Sequence, residues 1–157
     1  MTENNNEATV LAENSALDML TSEQLADYIT QLFIDKMPYN QLLGLKINRS
    51  SNGEVEIRLP WQDKLMGNPF QKILHGGVTA SILDTIGGLS AVLYAIKQIE
   101  KTSLLDFQQQ MPNAGTTIDM RVDYLRPGKG KEFIATAEVI RKGKKVAVLR
   151  MELHNEL

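Results

Sequence analysis

The sequence predicts an α+β domain in which antiparallel strands surround one long, buried helix. Three observations support this prediction. From Gly77 to about Lys97 nearly every position is apolar or small, which is typical of a helix buried on most of its faces. Segments in which apolar and polar residues alternate, the pattern of half-buried strands, occur before and after this stretch. The length of 157 residues fits a single domain that buries a core of its own.

Local signals define the elements that precede the central helix. Residues 1–20 are polar, and we expect a flexible N-terminal arm, with residues 21–157 forming the single domain. Thr21 and Gln24 have the spacing of a capping box, and apolar residues at helical spacing follow as far as Pro38. They predict an N-terminal helix. Two strands are predicted next, at residues 44–49 and 55–60, with a turn at 50–53 between them. A loop is predicted at residues 62–74.

Three further strands are predicted after the central helix. Residues 98–115 form a polar connection, in which a short helix is expected at 104–110. Residues 118–124 alternate strictly between apolar and polar side chains. Residues 132–140 and 146–153 then form a hairpin across a basic turn. Because strands lie on both sides of one helix in the sequence, we expect the sheet to wrap around that helix.

Composition excludes several classes of function. The formal net charge is −2, which gives no electrostatic case for binding nucleic acid or an anionic membrane. The chain has no cysteine, and its two histidines lack the spacing of metal ligands, so we expect neither a metal nor a cofactor. The N-terminal sequence is not that of a secretory signal, and glycines, serines and a carboxylate in the central helix argue against a membrane span. A cytoplasmic protein is therefore expected.

Asp84 is the only Asp, Glu, Lys or Arg between Lys72 and Lys97. A carboxylate on an apolar helix has to be paired, neutral or next to a cavity. The structural interpretation is a hydrogen bond to a hydroxyl or a pairing with an arginine from a neighbouring strand. The functional interpretation is a general base beside a substrate cavity. The absence of Lys or Arg nearby in the sequence favours the second.

The sequence His75-Gly76-Gly77 opens the same helix. Two glycines leave the first backbone N–H groups unshielded at the positive end of the helix dipole, where they can hold a carbonyl or an oxyanion. The alternative is a tight turn with no chemical role. Gly76 and Asp84 are about 12 Å apart along a helix axis, which is too far for both to contact the same substrate atom. Two antiparallel copies of the helix across a dimer interface would bring Gly76 of one chain toward Asp84 of the other.

Five segments of the sequence resemble a known family. "LHGGVTASILD" followed by "TIDMRVDYLRP" is similar to the hotdog-fold acyl-CoA thioesterases of the PaaI-like group. "KMPYNQLLG", "GNPFQKILHGG" and "KVAVLRMELHNE" resemble, within that group, the YigI-like medium- and long-chain acyl-CoA thioesterases. The resemblance runs from about Thr21 to Leu157. It implies a hotdog fold with an extra N-terminal helix, and active sites shared between the two chains of a homodimer, or of a dimer of dimers.

The resemblance also implies a set of site residues. Asp84 matches the catalytic carboxylate, acting as general base or as nucleophile, and Gly76 matches the N–H that polarises the thioester carbonyl. His75 and Asn68 match residues that orient or contact this carbonyl, and Thr117 matches a hydroxyl near the attacking water. Asn68 precedes His75 by seven residues, where many members have six. The expected substrate-binding residues are Gly77 near the thioester and Leu83 in the lining of the acyl tunnel. Arg126, Lys129 and Arg141 are expected to bind the CoA phosphates.

The function predicted from these residues is hydrolysis of an acyl-CoA thioester, with medium- to long-chain fatty acyl groups. Two alternatives are open. A dehydratase or hydratase of the same fold would act on enoyl-CoA, although such enzymes pair their histidine and carboxylate at other spacings. A non-catalytic acyl-CoA-binding module would bind the thioester without releasing CoA, and it would have no need of Asp84.

Overall fold

The structure is a computed structural model that describes residues 19–50, 54–110 and 115–155. The structure contains one short 3₁₀ helix in its described part, at Asp63–Leu65. The helices and strands, in chain order, are β1 (Met19–Thr21), α1 (Ser22–Asp35), α2 (Pro38–Leu43), β2 (Lys46–Arg49), β3 (Val55–Pro60), β4 (Met66–Asn68), β5 (Ile73–Leu74), α3 (Gly76–Ile96), β6 (Lys101–Ser103), α4 (Leu104–Gln110), β7 (Glu132–Lys142) and β8 (Ala147–Asn155).

The main sheet has the strand order β2-β3-β7-β8, and every neighbouring pair is antiparallel. The β7–β8 hairpin is its longest ladder, running from Phe133 opposite Asn155 to Lys142 opposite Ala147. A register shift between Val139 and Arg141 marks a bulge in β7. The predicted hairpin and the predicted strands at 44–49 and 55–60 are therefore confirmed, with small differences at their ends.

Helix α3 lies across this sheet and contacts both β7 and β8. Its buried side chains join residues of β3 and β7 in one core, whose fully buried large members include Ile57, Leu59, Ile82, Ile86, Leu89 and Phe133. Gly87 allows the helix to approach β8 closely, because a Cβ atom at this position would lie 2.7 Å from the Met151 Sδ atom. By length and composition α3 could also cross a membrane, but core helices meet the same criteria, and α3 packs on the sheet.

The N-terminal helix begins as predicted. The Gln24 N–H donates to the Thr21 hydroxyl, and the Gln24 side chain accepts the Thr21 N–H in return, which completes the capping box. Leu25 and Ile29 bury the inner face of α1. Helix α2 was not predicted, because Pro38 marks the end of one helical pattern but also occupies the first turn of the next helix.

Three predictions about the chain path are wrong. Residues 118–124 are described, but they form no strand, and Ile118 and Tyr124 are largely exposed. Met19 and Leu20 were assigned to the flexible arm, yet they pair with Ser103 and Thr102 in a small β1–β6 sheet. The remainder of the arm, residues 1–18, lies outside the described residues. The predicted loop at 62–74 contains the short β4–β5 hairpin.

Candidate active site at the start of the central helix

His75 caps the N-terminus of α3 with its own side chain. Its backbone is extended, with φ −65° and ψ 133°, and its Nδ1 atom accepts the Gly77 N–H at 2.9 Å. An imidazole nitrogen that accepts a hydrogen bond carries no proton, so the neutral ring holds its proton on Nε2. His75 is exposed. The ring can therefore offer an N–H to a ligand while it caps the helix.

The cap leaves one backbone donor open in the first turn of α3. The Gly77 N–H bonds the His75 ring, and the Val78 N–H bonds the His75 carbonyl at 2.9 Å. Among the described residues, none accepts a hydrogen bond from the Gly76 N–H. This donor lies at the positive end of a 21-residue helix. Gly76 is thus the first-turn residue whose N–H is available to a carbonyl oxygen. Gly77, which was predicted to bind substrate, already uses its N–H in the cap.

The β4–β5 hairpin packs against this helix start. Gly67 approaches so closely that a Cβ atom there would lie 2.6 Å from the His75 Cα atom. The Asn68 side-chain oxygen accepts the N–H groups of Phe70 and Gln71 at 2.9 and 3.1 Å. Asn68 therefore shapes the tip of the hairpin with its oxygen, and the described structure shows no direct contact between Asn68 and the Gly76 N–H.

Asp84 lies two turns farther along α3, and it is exposed in the single chain. The helix buries Ile82, Leu83 and Ile86 on other faces, while Asp84 points away from the sheet. Its carboxylate accepts the Thr117 hydroxyl at 2.6 Å, so the structure brings together two predicted site residues that are 33 positions apart.

Leu83, which is predicted to line the acyl tunnel, is 7% exposed within the chain. Leu83 precedes Gly87 by one helical turn, and Gly87 contacts Met151 of β8. The helix therefore turns the Leu83 side chain toward the packed β8 side, away from the exposed face that carries Asp84.

The basic residues fall into two separate groups. Arg126 and Lys129 are exposed and flank Gly128, whose carbonyl accepts the Leu74 N–H at 2.8 Å just before α3 begins. Arg141 lies on β7 eight residues beyond Phe133, or roughly 26 Å along the strand. It lines a surface cavity of about 380 Å³ with Lys144, Lys145 and Val148. Within one chain, Arg141 therefore does not join the site at the start of α3.

Two tyrosines contact the same helix, and their roles did not emerge from the sequence. The Tyr124 hydroxyl donates to the Gly76 carbonyl at 2.9 Å, and its ring lies against Gly76. The Tyr39 hydroxyl pairs with the Ser81 hydroxyl at 2.8 Å, and Ser81 donates to the Gly77 carbonyl. The motif containing Tyr124 was evident, but its contact with Gly76 depends on the path of residues 115–131. Among the described residues, no cluster of three or more His, Asp or Glu has an arrangement that could hold a metal ion.

The fold and this site define the class of protein. Residues 71–156 match the model of the thioesterase superfamily, and the chain belongs to this family, whose structures have the hotdog fold. The chain is 44% identical over 138 residues to the medium/long-chain acyl-CoA thioesterase YigI of Salmonella typhimurium, covering 88% of each chain. The Escherichia coli K12 protein of that name is 43% identical with the same coverage. A solved thioesterase-superfamily structure from Shewanella oneidensis superposes with a TM-score of 0.79 at 43% identity, covering 86% of this chain and 88% of the other.

Proposed function

We propose that this protein hydrolyses acyl-CoA thioesters to a free acid and CoA. The observation that carries the proposal is the open Gly76 N–H at the start of α3, on the same helix as the exposed Asp84 carboxylate. The first group suits a thioester carbonyl oxygen, and the second suits the water that attacks it. Membership of the thioesterase superfamily supports this reaction class.

In the proposed reaction, the Gly76 N–H binds the carbonyl oxygen and stabilises the negative charge that develops there. Asp84 takes a proton from water, and the water oxygen forms a bond to the carbonyl carbon. The tetrahedral intermediate then collapses and the C–S bond breaks. The sulfur of CoA takes the proton held by Asp84 and leaves as the thiol. Thr117 occupies one carboxylate oxygen, which leaves the other to face water.

A role for Asp84 as nucleophile makes a different prediction about the product. With excess enzyme and H₂¹⁸O, a single turnover by the general-base route places ¹⁸O directly in the acid. A nucleophilic route forms an anhydride between Asp84 and the acyl group. Water that attacks the Asp84 carboxyl carbon of this anhydride leaves an unlabelled Asp84 oxygen in the acid and places ¹⁸O in Asp84. Mass spectrometry of the acid and of the protein after one turnover detects this route, and we expect a labelled acid and an unlabelled Asp84.

The proposed active site is shared by two copies of the chain. Gly76 and Asp84 are eight residues apart on a continuous helix, about 12 Å along its axis, so one helix cannot present both to a single thioester. Exposed apolar side chains at Ile118 and Leu125 support a second copy as the covering partner. In the described part of the chain β8 pairs only with β7, so the other edge of β8 is open to contact with a second copy of the chain. We propose a homodimer, with a dimer of dimers as the larger assembly.

The proposed substrates are medium- and long-chain acyl-CoA molecules in the cytoplasm. The chain length follows the names of the two relatives that are 43% and 44% identical. Arg126 and Lys129 lie near the start of α3. We propose that they bind the CoA phosphates at the active site that contains Gly76 of the same chain. Arg141 lies far from that Gly76, so any contact it makes with CoA belongs to another site of the assembly.

The direct test measures CoA release from acyl-CoA substrates of increasing chain length, by the wild type and by Asp84→Asn. Asparagine keeps the shape of the side chain and the oxygen that accepts from Thr117, but it is a very weak base. We expect kcat to fall by about 10²–10⁴ while the fold is retained. Asp119→Asn, an exposed aspartate on the segment that carries Thr117, is the matched control and should keep wild-type activity. Near-wild-type hydrolysis by folded Asp84→Asn would contradict the proposal.

Assays of enoyl-CoA hydration and of acyl-CoA binding, run beside the CoA-release assay, separate the rival functions. Hydration of enoyl-CoA without CoA release would indicate a hydratase, and tight acyl-CoA binding without turnover would indicate a binding module. The proposal predicts CoA release and no net hydration of the enoyl substrate.

A further inference from the structure

We infer that Tyr124 is a positioning residue: by holding the Gly76 carbonyl it fixes the backbone dihedral angles of Gly76, so that the open Gly76 N–H points at the thioester carbonyl. The inference deepens the proposed function and rests on it. Tyr124 is 60% exposed, so its ring is not held in place by the core. Its hydroxyl nevertheless donates to the Gly76 carbonyl at 2.9 Å. The contact joins residues 48 positions apart at the one first-turn position whose N–H is open.

Gly76 needs such a contact because glycine does not restrict its own backbone. It has no Cβ atom, and its two dihedral angles vary more freely than those of any other residue. The Gly76 N–H belongs to the peptide unit that joins His75 to Gly76, and the carbonyl of this unit accepts the Val78 and Thr79 N–H groups. The next unit, which joins Gly76 to Gly77, is held by the His75 ring at its N–H and by Tyr124 at its carbonyl. With both in place, the direction of the Gly76 N–H is set before the substrate arrives, which is what an oxyanion donor requires.

The ring of Tyr124 adds a steric contact to the hydrogen bond. A Cβ atom at position 76 would lie 3.2 Å from the Tyr124 Cε1 atom and 3.4 Å from its hydroxyl oxygen. Glycine therefore leaves room for the ring to lie against the backbone. An alanine at this position would crowd the ring, which would have to shift by a few tenths of an ångström.

The first experiment replaces the hydroxyl alone. For Tyr124→Phe we expect kcat for acyl-CoA hydrolysis to fall about three- to tenfold, the range for loss of one neutral hydrogen bond, with KM unchanged. Tyr39→Phe is the matched control, because Tyr39 is similarly exposed and bonds the same helix at Ser81 rather than at Gly76. It should keep the wild-type kcat. A rise in KM alone for Tyr124→Phe, or equal losses in both variants, would overturn the inference.

The second experiment tests whether the two residues act together. Because Gly76→Ala crowds the Tyr124 ring, adding Tyr124→Phe should lower kcat by a smaller factor in the Gly76→Ala background than in the wild type. Losses that multiply in the double variant would overturn the positioning role. If the wild type itself does not hydrolyse acyl-CoA, the proposed function fails; if it does and Tyr124→Phe matches it, only this inference fails.

Discussion

The two halves of α3 differ in what surrounds them. The first half, from Gly76 to Thr85, is bordered by side-chain hydroxyl groups, and Thr117, Tyr124 and Tyr39 all bond to it or to its side chains. The second half, from Ile86 to Ile96, buries apolar residues against the sheet. The exposed face of the first half is thus polar, although Ile82 and Leu83 of the same half are buried, and the second half is mainly apolar and packed. We expect substitutions on the exposed face of the first half to change turnover, and those at buried positions of the second half to change stability.

Gly76 gives the sharpest test of the polar half. Gly76→Pro removes the open N–H, and a proline fits the first helical position after an extended residue such as His75. We expect kcat to fall by about 10²–10³ relative to Gly76→Ala, the loss typical of one oxyanion donor. Alanine is the matched control because it adds a Cβ atom but keeps the N–H. Equal kcat values in the two folded variants would remove Gly76 from the proposed mechanism.

Leu89 gives the corresponding test of the packed half. It is fully buried, and Leu89→Ala is expected to lower the free energy of unfolding by about 2–5 kcal/mol through lost burial and a cavity. Denaturant unfolding measures this loss. The kcat per folded molecule should stay close to the wild type, since Leu89 lies more than one turn beyond Asp84. A large fall in kcat with unchanged stability would contradict the division of the helix into two halves.

The basic residues near the start of α3 are expected to give the smallest effect. Replacing Arg126 and Lys129 by alanine should raise KM for acyl-CoA severalfold and leave kcat unchanged, as expected for exposed phosphate contacts. The same variant should hydrolyse acyl-pantetheine, which lacks the nucleotide, as well as the wild type does. Lys64→Ala is the control for charge, because Lys64 bonds the Leu42 carbonyl on another part of the surface. Equal changes on both substrates would show that these residues do not bind the nucleotide.

Much of the fold was predictable because the signals were local. The capping box at Thr21, the apolar run of α3 and the β7–β8 hairpin depend on neighbours in the sequence. The short helix expected at 104–110 is also present, as α4. The alternation at 118–124 predicts an extended backbone but not a partner, and in the described single chain these residues join no ladder. Strand assignment at such a position depends on tertiary and intermolecular contacts.

The candidate site was only partly predictable for the same reason. Gly76 and Asp84 were evident because glycines at a helix start and a lone carboxylate on an apolar helix are unusual in sequence. The capping of Gly77 by the His75 ring could not be predicted, since it depends on a side-chain rotamer. The contact between Tyr124 and Gly76 depends on how residues 115–131 cross the helix.

The central claim is that the Gly76 N–H of one chain and the Asp84 carboxylate of another form one active site. Co-expression of an Asp84→Asn chain and a Gly76→Pro chain, each with its own affinity tag, yields mixed dimers after purification through both tags. Each mixed dimer has one site with both groups intact and one site with neither. We predict about half the activity of the wild-type dimer, although each parent variant is nearly inactive. Activity no higher than that of the parents would contradict a site shared between two chains.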